Sequence, residues 1–510
     1  MTTILTAISK IIKTVVFFSI GLVIERKNEP DNSNTKRMRE SGIGPVIALL
    51  LLTVLWYFGW GIWLVLMCIR FSQPKSNAQQ GKTQNDPKGE FARLYSDIKR
   101  GVVFGRDKEV NKYVVRKEYD EGHIMIVGAP GSGKTACIAI PTLRAWSERI
   151  FAIDIKCELY NETSSYRSKF KVMNPVDKNS YGYDPYWVFE AGKNKVQKAR
   201  AIALALIPIP QAVKEPFWLK SAQNILTGAI LHCRFDLNYS FVETMQYLTT
   251  TSPKEIIDNI SKSDTKEAIS FVMSSTSLSD VTLSGIMGEL HTYIVDIATD
   301  EDLITFFNQT QIILPTNLED CFDIYLNLPE DKLEQWNNCI TLIINQFLTY
   351  FEQRADRNSK PILFLLDEFP RLGKMPSITN GLATLRSKGI TICLILQDLG
   401  QLNDIYGKDT SRVISGNCAY KAVFSLSDAE TQEYFSKLFG TEIVERKTTG
   451  TSHQPFSGIP TGNNIGSTEQ REQIIQPHTF GNFMDIALYT PYGNRIISKM
   501  PYYEACNAPK

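Results

Sequence analysis

The feature that most constrains this chain is a glycine-rich stretch, Gly128 to Thr135, which reads Gly-Ala-Pro-Gly-Ser-Gly-Lys-Thr. An apolar run, Ile124 to Val127, precedes it, and a helix-like segment, Ala136 to Arg144, follows it. A strand, a glycine turn and a helix in this order are typical of a phosphate-binding loop, because backbone N–H groups of the turn and of the helix N-terminus face the anion. The sequence therefore predicts a nucleotide site on an α/β sheet.

Each residue type of the loop has a physical role. The glycines let the backbone curl around the β- and γ-phosphates, Lys134 places a positive charge beside them, and the Thr135 hydroxyl ligates Mg²⁺. An ordinary glycine turn is the alternative, and the strand and helix patterns on its two sides favour the phosphate-binding loop. The residues predicted to bind the nucleotide are Gly128, Ala129, Pro130, Gly131, Ser132, Gly133, Lys134 and Thr135.

A pair of carboxylates is the expected second half of the site. The apolar run Ile362 to Leu366 ends in Asp367 and Glu368, a spacing that suits a RecA-like sheet. Asp367 is predicted to hold the Mg²⁺ shell, and Glu368 to accept a proton from the water that attacks the γ-phosphate. A buried strand that enters a solvated turn is the alternative interpretation of the same residues. Behind a phosphate-binding loop, the pair predicts that ATP and Mg²⁺ are the cofactors.

Length and composition set wider limits. With 510 residues, the chain has room for two or three domains. Its 55 Lys and Arg residues against 54 acids give a net charge of +1, so a binding surface for a polyanion has to be local. The nine cysteines form no Cys-x-x-Cys pair and no zinc-ligand spacing. Reduced cytoplasmic thiols, and no metal centre beyond Mg²⁺, are the resulting expectation.

The N-terminal region contains two candidate membrane spans. The clearer candidate is Ile43 to Cys68, which has 26 residues without a charge. As a helix this stretch is about 39 Å long, which exceeds a hydrocarbon core of about 30 Å. The other is Ile4 to Ile24, in which Lys10 and Lys13 lie towards one end and can reach the interface. A cleaved secretory signal is the alternative for this segment, but no small-residue cleavage pattern follows it.

Two spans would place the N-terminus and the large C-terminal part in the cytosol, because ATP is used there. Residues 25–42 would then form a short external loop, although this loop is basic, against the tendency for positive loops to stay inside. Residues 73–90 are rich in Ser, Asn, Gln, Lys and Gly and are predicted to be a linker. The membrane anchor is therefore predicted over residues 1–72, with spans at about 4–24 and 43–68.

The rest of the chain predicts an α/β fold with an all-helical insertion. Strand-like runs recur at 124–127, 150–153, 170–173, 323–328, 362–366, 390–396 and 419–424. Several of them are apolar throughout, as expected for a parallel sheet covered on both faces. A last pair of strands is expected at 486–489 and 495–498. Between Arg200 and about Phe307 the pattern becomes helical. We therefore predict a RecA-like nucleotide-binding domain over residues 91–199 and 308–510, and an all-α domain over 200–307.

Three local predictions belong to this reading. The aromatic pair Phe217 and Trp218 is expected in the core, with a platform for stacked bases as the alternative. An amphipathic face from Trp336 to Phe351 predicts a crossover helix on the sheet. Residues Thr448 to Thr468 are dense in Thr, Ser, Gly, Pro and Asn and are expected to form a mobile surface loop.

In this combination the residues resemble those of the type IV coupling proteins, the membrane-anchored ATPases of conjugation and type IV secretion. The resemblance covers most of the chain. It departs from the family at Cys157, where glycine is usual, and in lacking the acidic C-terminal extension that some members use for partners. The motifs that carry it, besides the two spans and the phosphate-binding loop, are Asp154-x-Lys156-x-Glu158, Phe217-Trp218, Leu366-Asp367-Glu368-Phe369, Leu372-Gly373-Lys374, Leu385-Arg386-Ser387-Lys388-Gly389, Gln397 with Gln401, Tyr406-Gly407 and Asn417-Cys418.

The resemblance implies a homo-hexameric ring around a channel. Arg386, which lies 19 residues after Asp367, matches the arginine finger of the family, and a surface arginine is the alternative. Gln397 is either a sensor of the γ-phosphate or a simple amide at the end of a strand. Asp154 and Lys156 either shape the nucleotide pocket or pair with each other.

The expected function is therefore that of a multi-pass protein of the bacterial inner membrane with its ATPase domain in the cytoplasm. It would pass relaxase-bound single-stranded DNA, effector proteins or both to a type IV secretion channel, driven by ATP hydrolysis. Two alternatives remain at this point: a double-stranded DNA pump of the chromosome-segregation type, and a receptor that binds ATP without hydrolysing it.

Overall fold

Mainly apolar runs form the centre of a nine-stranded sheet. In the computed structural model, residues 89–190, 192–210, 213, 215–356, 359–453 and 460–504 are described, all within one compact unit, Thr83–Lys510. The described strands, in chain order, are β1 (Tyr95–Ser96), β2 (Val102–Asp107), β3 (Lys112–Arg116), β4 (Ile124–Val127), β5 (Arg149–Asp154), β6 (Phe170–Met173), β7 (Asp323–Asn327), β8 (Ile362–Leu366), β9 (Ile390–Leu396), β10 (Tyr420–Val423), β11 (Thr441–His453), β12 (Pro460–Gln473), β13 (Ile486–Thr490) and β14 (Gly493–Ile497).

Helices cover the sheet and fill the stretch between β6 and β7. The described α-helices, in chain order, are α1 (Ile140–Ala145), α2 (Glu158–Thr163), α3 (Lys195–Leu206), α4 (Phe217–Phe235), α5 (Phe241–Thr250), α6 (Pro253–Ser261), α7 (Lys266–Val272), α8 (Asp280–Thr299), α9 (Glu301–Phe307), α10 (Thr316–Glu319), α11 (Asn337–Glu352), α12 (Pro376–Thr384), α13 (Leu399–Tyr406), α14 (Lys408–Asn417) and α15 (Ala429–Phe439). Short 3₁₀ turns include Glu330–Lys332, Phe369–Leu372 and Leu385–Lys388.

The large sheet has the order β14-β13-β10-β4-β9-β8-β5-β7-β6. The strands from β10 to β6 run parallel, and β13 and β14 add an antiparallel edge. The central strands β4, β8 and β9 are buried along their whole length, because helices cover both faces of a parallel sheet. The predicted strand runs, including the last pair, are confirmed, and the small antiparallel sheet β1-β3-β2 lies outside those predictions.

The crossover helix before β8 is also confirmed as α11. Its face buries Ile340, Ile343, Ile344 and Phe347. The ring of Phe347 lies 4.7 Å from the ring of Phe151 in β5, so the helix packs directly on the sheet. The ring of Phe351 in the same helix lies 5.8 Å from that of Phe364 in β8, the strand that leads to the two carboxylates.

The described residues between Arg200 and Phe307, where a helical pattern was predicted, lie in helices and the turns that join them, and none of them lies in a strand. Side-chain caps explain where several of these helices begin. Ser240 and Glu243 form a reciprocal capping box at α5, and Ser252 and Ser279 cap α6 and α8. Asp300 caps α9 by accepting from the N–H groups of two residues in its first turn.

The aromatic pair at the start of α4 is not in the core, and that prediction is wrong. Phe217 is 49% exposed and Trp218 is 39% exposed. Both residues occupy the first turn of α4, where one side of the helix still faces solvent. Trp218 lies against Gly285 of α8, where its ring would be 2.9 Å from an added Cβ, and packs edge-on against Phe217.

A second correction concerns the predicted loop Thr448 to Thr468. Much of it belongs to an antiparallel ribbon in which β11 pairs with β12, from Thr441 opposite Gln473 to Ser452 opposite Gly462. Backbone hydrogen bonds hold such a ribbon without an apolar face, and threonine favours extended backbone. Loop-like composition therefore concealed two strands.

The predicted spans at 4–24 and 43–68 lie outside the described residues. Among the helices that the structure does describe, none combines the length and the apolar character that crossing a bilayer requires.

Candidate functional site

The phosphate-binding loop begins where β4 ends, between two neighbouring strands. The Gly128 N–H donates to the carbonyl oxygen of Leu396 at 3.2 Å, and the Ala129 N–H donates to that of Ser425 at 2.7 Å. Leu396 ends β9, and Ser425 follows β10. The loop is therefore anchored on both sides at the carboxyl edge of the sheet, where ligands bind in open parallel sheets.

Two glycines of the loop are required by its geometry. Gly133 has a φ of 99°, which side-chain-bearing residues rarely adopt. At Gly128, an added Cβ would lie 2.6 Å from the Cβ of Phe424 and 2.7 Å from the Oγ of Ser132. The close approach of the backbone at these positions produces the concave cradle that a phosphate chain needs.

Polar groups inside the cradle fit an anionic ligand. The Lys134 Nζ donates to the carbonyl oxygens of Gly128 and Ala129, at 2.5 and 3.1 Å. Burial lowers the pKa of Lys134, while the charges of Asp367 and Glu368 act to raise it. The Ser132 hydroxyl is buried and makes no hydrogen bond within the described residues. A triphosphate would provide partners for both side chains.

The helix after the loop opens with a π-helical turn, Thr135–Ala139, before α1. Such turns are rare and recur at functional sites. Here the carbonyl oxygen of Ala136 accepts the backbone N–H of Tyr502 at 3.0 Å, so the C-terminal residues contact the start of this helix. The contact is made at the residue after Thr135, the predicted Mg²⁺ ligand.

Asp367 lies at the end of β8 and is 9% exposed. Burial raises its pKa to about 7, the negative charges of Glu368 and Asp154 add to this effect, and the N–H of Glu368 and the charge of Lys134 oppose it. The Oδ1 of Asp367 accepts that N–H at 3.1 Å. A buried carboxylate with this excess of negative charge around it fits a divalent cation.

Strand register brings the two halves of the site together. Val127 of β4 pairs with Leu396 of β9, and Leu394 of β9 pairs with Leu366 of β8. The residues that follow these three strands therefore share one edge of the sheet. The predicted site residues that meet there are the loop Gly128 to Thr135 with Lys134, the pair Asp367 and Glu368, and Gln397.

Of the two alternatives for Asp154 and Lys156, an ion pair with each other is not the one that the described side chains form. Asp154 is buried and accepts the backbone N–H groups of Lys156 and Tyr160, at 3.3 and 2.7 Å. The ammonium group of Lys156 instead lies 3.6 Å from the Oε1 of Glu368. Asp154 thus shapes the turn after β5, and Lys156 contributes its charge to the acidic pair.

The backbone conformation at Cys157 explains why glycine would suit this position of the turn. Its backbone has φ 56° and ψ 14°, the left-handed conformation, at the residue before α2. Glycine adopts this conformation without steric cost, whereas other L-residues pay about 1 to 2 kcal/mol. The turn keeps its shape with cysteine in place.

Arg386 is separated from these residues within one chain. It lies in the 3₁₀ turn Leu385–Lys388, ahead of β9, and its side chain is 60% exposed at 3.5 Å from Glu121. The phosphate-binding loop lies at the other end of β9, next to Leu396. A strand of seven residues spans about 23 Å. Arg386 therefore cannot reach the loop of its own chain.

Two residues at the site were not predicted. The Arg371 Nη1 lies 3.1 Å from the Oε2 of Glu368 and 2.6 Å from the Oε1 of Glu330. Arg371 follows Glu368 by three positions, a spacing that already places the two side chains close together in a helical turn. Glu330 follows β7 and gave no signal in the sequence.

With this geometry in place, comparison with known proteins decides the family. The family described as type IV secretory system conjugative DNA transfer matches residues 82–487. The chain belongs to this family. The resemblance to the coupling proteins that the motifs indicated is therefore confirmed.

Curated relatives agree with this assignment. The conjugal transfer protein TraG of Escherichia coli is 24% identical over 429 residues, covering 74% of this chain and 63% of that protein. Protein VirD4 of Agrobacterium fabrum is 23% identical over 418 residues, covering 76% of this chain and 59% of that protein. The chain thus spans about three fifths of the length of these relatives.

Solved structures show the same fold. The bacterial conjugative coupling protein TrwBdeltaN70 in its unbound monoclinic form superposes with a TM-score of 0.63 at 18% identity, over 81% of this chain and 91% of that chain. The plasmid coupling protein TrwB in complex with ADP and Mg²⁺ gives a TM-score of 0.61 at 18% identity, over 81% of this chain and 91% of that chain. The RecA-like α/β architecture predicted from the sequence is confirmed at this level.

Proposed function

We propose that this protein is a membrane-anchored, hexameric ATPase that couples substrates to a type IV secretion channel and helps to drive their translocation. The observation that carries the proposal is the meeting of the phosphate-binding loop and the pair Asp367–Glu368 at one edge of the sheet. Membership of the conjugative DNA transfer family supports the coupling role. The TrwB complex with ADP and Mg²⁺, which shares the fold, supports the choice of cofactors.

ATP binds with its phosphates in the loop Gly128 to Thr135. Lys134 exchanges its backbone acceptors for the β- and γ-phosphate oxygens, and Ser132 gains a partner. The Thr135 hydroxyl and the Asp367 carboxylate would hold Mg²⁺, directly or through water. When bound, the ion neutralises charge on the β- and γ-phosphate oxygens. The Asp367 carboxyl group, whose pKa is raised by burial and by neighbouring negative charges, would be held in its ionised form beside such a cation.

Hydrolysis then needs a base and a charge-stabilising group. Glu368 accepts a proton from water as the water oxygen bonds to the γ-phosphorus, and the bond from that phosphorus to the bridging oxygen breaks, so that ADP leaves with the electron pair. Gln397 lies beside the loop and senses the γ-phosphate. Arg386 of a neighbouring subunit supplies positive charge in trans, because within one chain it lies at the opposite edge of the sheet.

The proposed domains follow from these roles. Residues 91–199 and 308–510 form the nucleotide-binding domain, 200–307 form an all-α domain, and 73–90 link them to an anchor at 1–72. Two spans would place the ATPase in the cytoplasm at the bacterial inner membrane. The substrates are relaxase-bound single-stranded DNA, effector proteins or both, and loops inside the ring would grip DNA through its phosphates.

One substitution tests the motor role in the full chain. Glu368→Gln is expected to bind ATP with nearly unchanged affinity, to reduce hydrolysis to a slow residual rate that only single-turnover conditions detect, and to abolish substrate transfer in the host strain. Crosslinking of this trapped variant, followed by identification of the bound nucleic acid and protein, would reveal the cargo. Glu433→Gln is the matched control, since Glu433 is 59% exposed in a surface pair with Lys437.

Undiminished transfer with Glu368→Gln would contradict the motor and support a receptor that does not hydrolyse ATP. Recovery of double-stranded DNA alone in the crosslinked complex would instead support the chromosome-segregation type of pump.

A further inference from the structure

The carboxylate of Glu368 is held by two cations that come from different parts of the chain. Lys156, on the turn after β5, lies 3.6 Å from its Oε1. Arg371, in the 3₁₀ turn after β8, lies 3.1 Å from its Oε2. Each carboxylate oxygen thus faces its own positive charge. The two contacts together restrict rotation of the side chain, which is 17% exposed.

Arg371 is in turn fixed by a second carboxylate. Its Nη1 lies 2.6 Å from the Oε1 of Glu330, which follows β7. Partial burial acts to lower the pKa of Arg371, but hydrogen bonds to Glu330 and Glu368 outweigh it and raise the pKa. The hydrogen bond to Arg371 lowers the pKa of Glu330, and the charge of Lys156 adds to that effect. The four side chains therefore form one alternating network of charges across three loops.

The backbone of Glu368 shows the same constraint. Its φ of 45° and ψ of 44° lie in the left-handed region, which a residue with a side chain occupies at a cost. Such conformations persist where the surroundings over-determine them, and they cluster at active sites. The N–H of Glu368 donates to the Asp367 carboxylate, and its side chain is held by Lys156 and Arg371. Backbone and side chain are thus fixed by separate contacts.

We propose that Arg371 and Lys156 are positioning residues for Glu368, and that Glu330 positions Arg371. They hold the Glu368 carboxylate within hydrogen-bond reach of the position that the attacking water must occupy. This inference rests on the proposed ATPase function, in which Glu368 is the proton acceptor. A base has to approach the proton it takes to within about 3 Å, and a misplacement of about 1 Å can cost about 100-fold in rate.

The network also connects the base with the helical segment. Glu330 opens the turn Glu330–Lys332, and the Lys332 Nζ lies 3.7 Å from the Oδ2 of Asp300, the residue that caps α9. The indole N–H of Trp336 donates to the same oxygen at 3.3 Å. A chain of contacts therefore runs from the cap of α9 through the turn Glu330–Lys332 to Arg371 and Glu368.

The test measures ATP hydrolysis by the full chain. Arg371→Ala is expected to lower kcat by about 10- to 100-fold with KM for ATP unchanged, because the base is displaced while the phosphate cradle is intact. Arg371→Lys should recover part of the loss, and Glu330→Gln and Lys156→Ala should lower kcat by smaller factors. Arg412→Ala is the matched control, since Arg412 forms an exposed ion pair with the residue three positions before it.

A double-variant comparison separates positioning from a general structural effect. In a Glu368→Gln background, measured under single-turnover conditions, Arg371→Ala should lower the residual rate no further, because its effect passes through Glu368. Equal multiplicative losses in both backgrounds would overturn the proposal. Unchanged kcat in Arg371→Ala or Glu330→Gln would overturn it as well.

The outcomes distinguish this inference from the proposed function. Wild-type hydrolysis by Glu368→Gln would refute the ATPase mechanism itself. Loss of hydrolysis in Glu368→Gln together with full activity in Arg371→Ala would refute the positioning role alone. If Arg371→Ala does not fold, Arg371→Lys and Glu330→Gln carry the same test, because both retain the size of the side chain.

Discussion

The backbone N–H of Gly128 donates to the carbonyl oxygen of Leu396 at 3.2 Å, so the phosphate-binding loop starts beside the end of β9. Gln397 is the first residue after that strand. Asp398 then caps α13 by accepting the N–H of Gln401 at 2.8 Å. Gln397 is thus held between a strand and a capped helix, next to the place where the phosphates are proposed to lie.

Gln397→Ala is therefore expected to lower kcat by about 100-fold, the size of effect seen when one donor to a developing charge is removed. ATP affinity should change by less than about 3-fold, since the cradle is formed by other residues. Steady-state hydrolysis and nucleotide binding check this together. An unchanged kcat would identify Gln397 as a simple strand-end amide. The exposed Gln470, replaced by alanine, serves as the control.

The position of Arg386 predicts catalysis between subunits. Arg386→Ala and Lys134→Ala should each lose most hydrolysis. The loss of an arginine finger should lower kcat by about 10³-fold or more. Mixing the two inactive full-length variants should restore part of the activity, because some interfaces then pair an intact loop with an intact Arg386. If Arg386 acted within its own chain, every subunit in the mixture would stay inactive.

Periodicity and apolar runs predicted most of the sheet, because its central strands are buried on both faces and are mainly apolar. Ile362 to Leu366 and Ile390 to Leu396 are such runs, and their bounds in the structure are the predicted ones. The ribbon of β11 and β12 escaped prediction since backbone pairing, rather than an apolar pattern, holds it. Exposure of Trp218 was missed because it depends on how α4 lies against α8, which no local pattern reports.

The sequence predicted the phosphate-binding loop and the pair of carboxylates, but not the ion pairs that surround Glu368. Glycines, a lysine and two carboxylates reveal phosphate and metal chemistry through residue type and spacing alone. The pairing of Lys156 with Glu368 and of Arg371 with Glu330 depends on strand order, since the loops after β5, β7 and β8 become neighbours only in the folded sheet. Charge pairs between distant segments leave no trace in a single sequence.

The left-handed backbone at Cys157 predicts a stabilising substitution. Cys157→Gly should raise the melting temperature of the full chain by a few degrees, because it removes strain of about 1 kcal/mol. Cys157→Ala, which removes the thiol and keeps the strain, is the matched control and should give no such gain. Equal melting temperatures for the two variants would show that the turn carries no strain.

His123 predicts a loss of stability in acid. Burial lowers its pKa to about 3, and the charges of Arg116 and Arg386 add to that effect. Its Nδ1 accepts the N–H of Ile392 at 3.0 Å, so the neutral ring is the one that the fold holds. Between pH of about 6.5 and 3, the unfolded chain binds a proton that the folded chain does not. The contribution of the neutral His123 ring to the free energy of unfolding is complete above this pH window. It is lost as the pH falls through the window.

Within this pH window, the free energy of unfolding should fall by about 1.4 kcal/mol for each pH unit. Melting temperatures of the full chain between pH 7 and 5 test it: His123→Asn, whose amide oxygen can accept the same N–H, should flatten the dependence. The exposed His478, replaced by asparagine, should leave it unchanged. Equal slopes for His123→Asn and the wild type would rule out this assignment.

The most direct test of the account is a paired measurement of ATP binding and ATP hydrolysis by the full chain in three forms: wild type, Lys134→Ala and Glu368→Gln. A shared site for the glycine loop and the acidic pair predicts Mg²⁺-dependent hydrolysis by the wild type, loss of binding and hydrolysis in Lys134→Ala, and tight binding without turnover in Glu368→Gln. Hydrolysis that survives both substitutions would contradict the account.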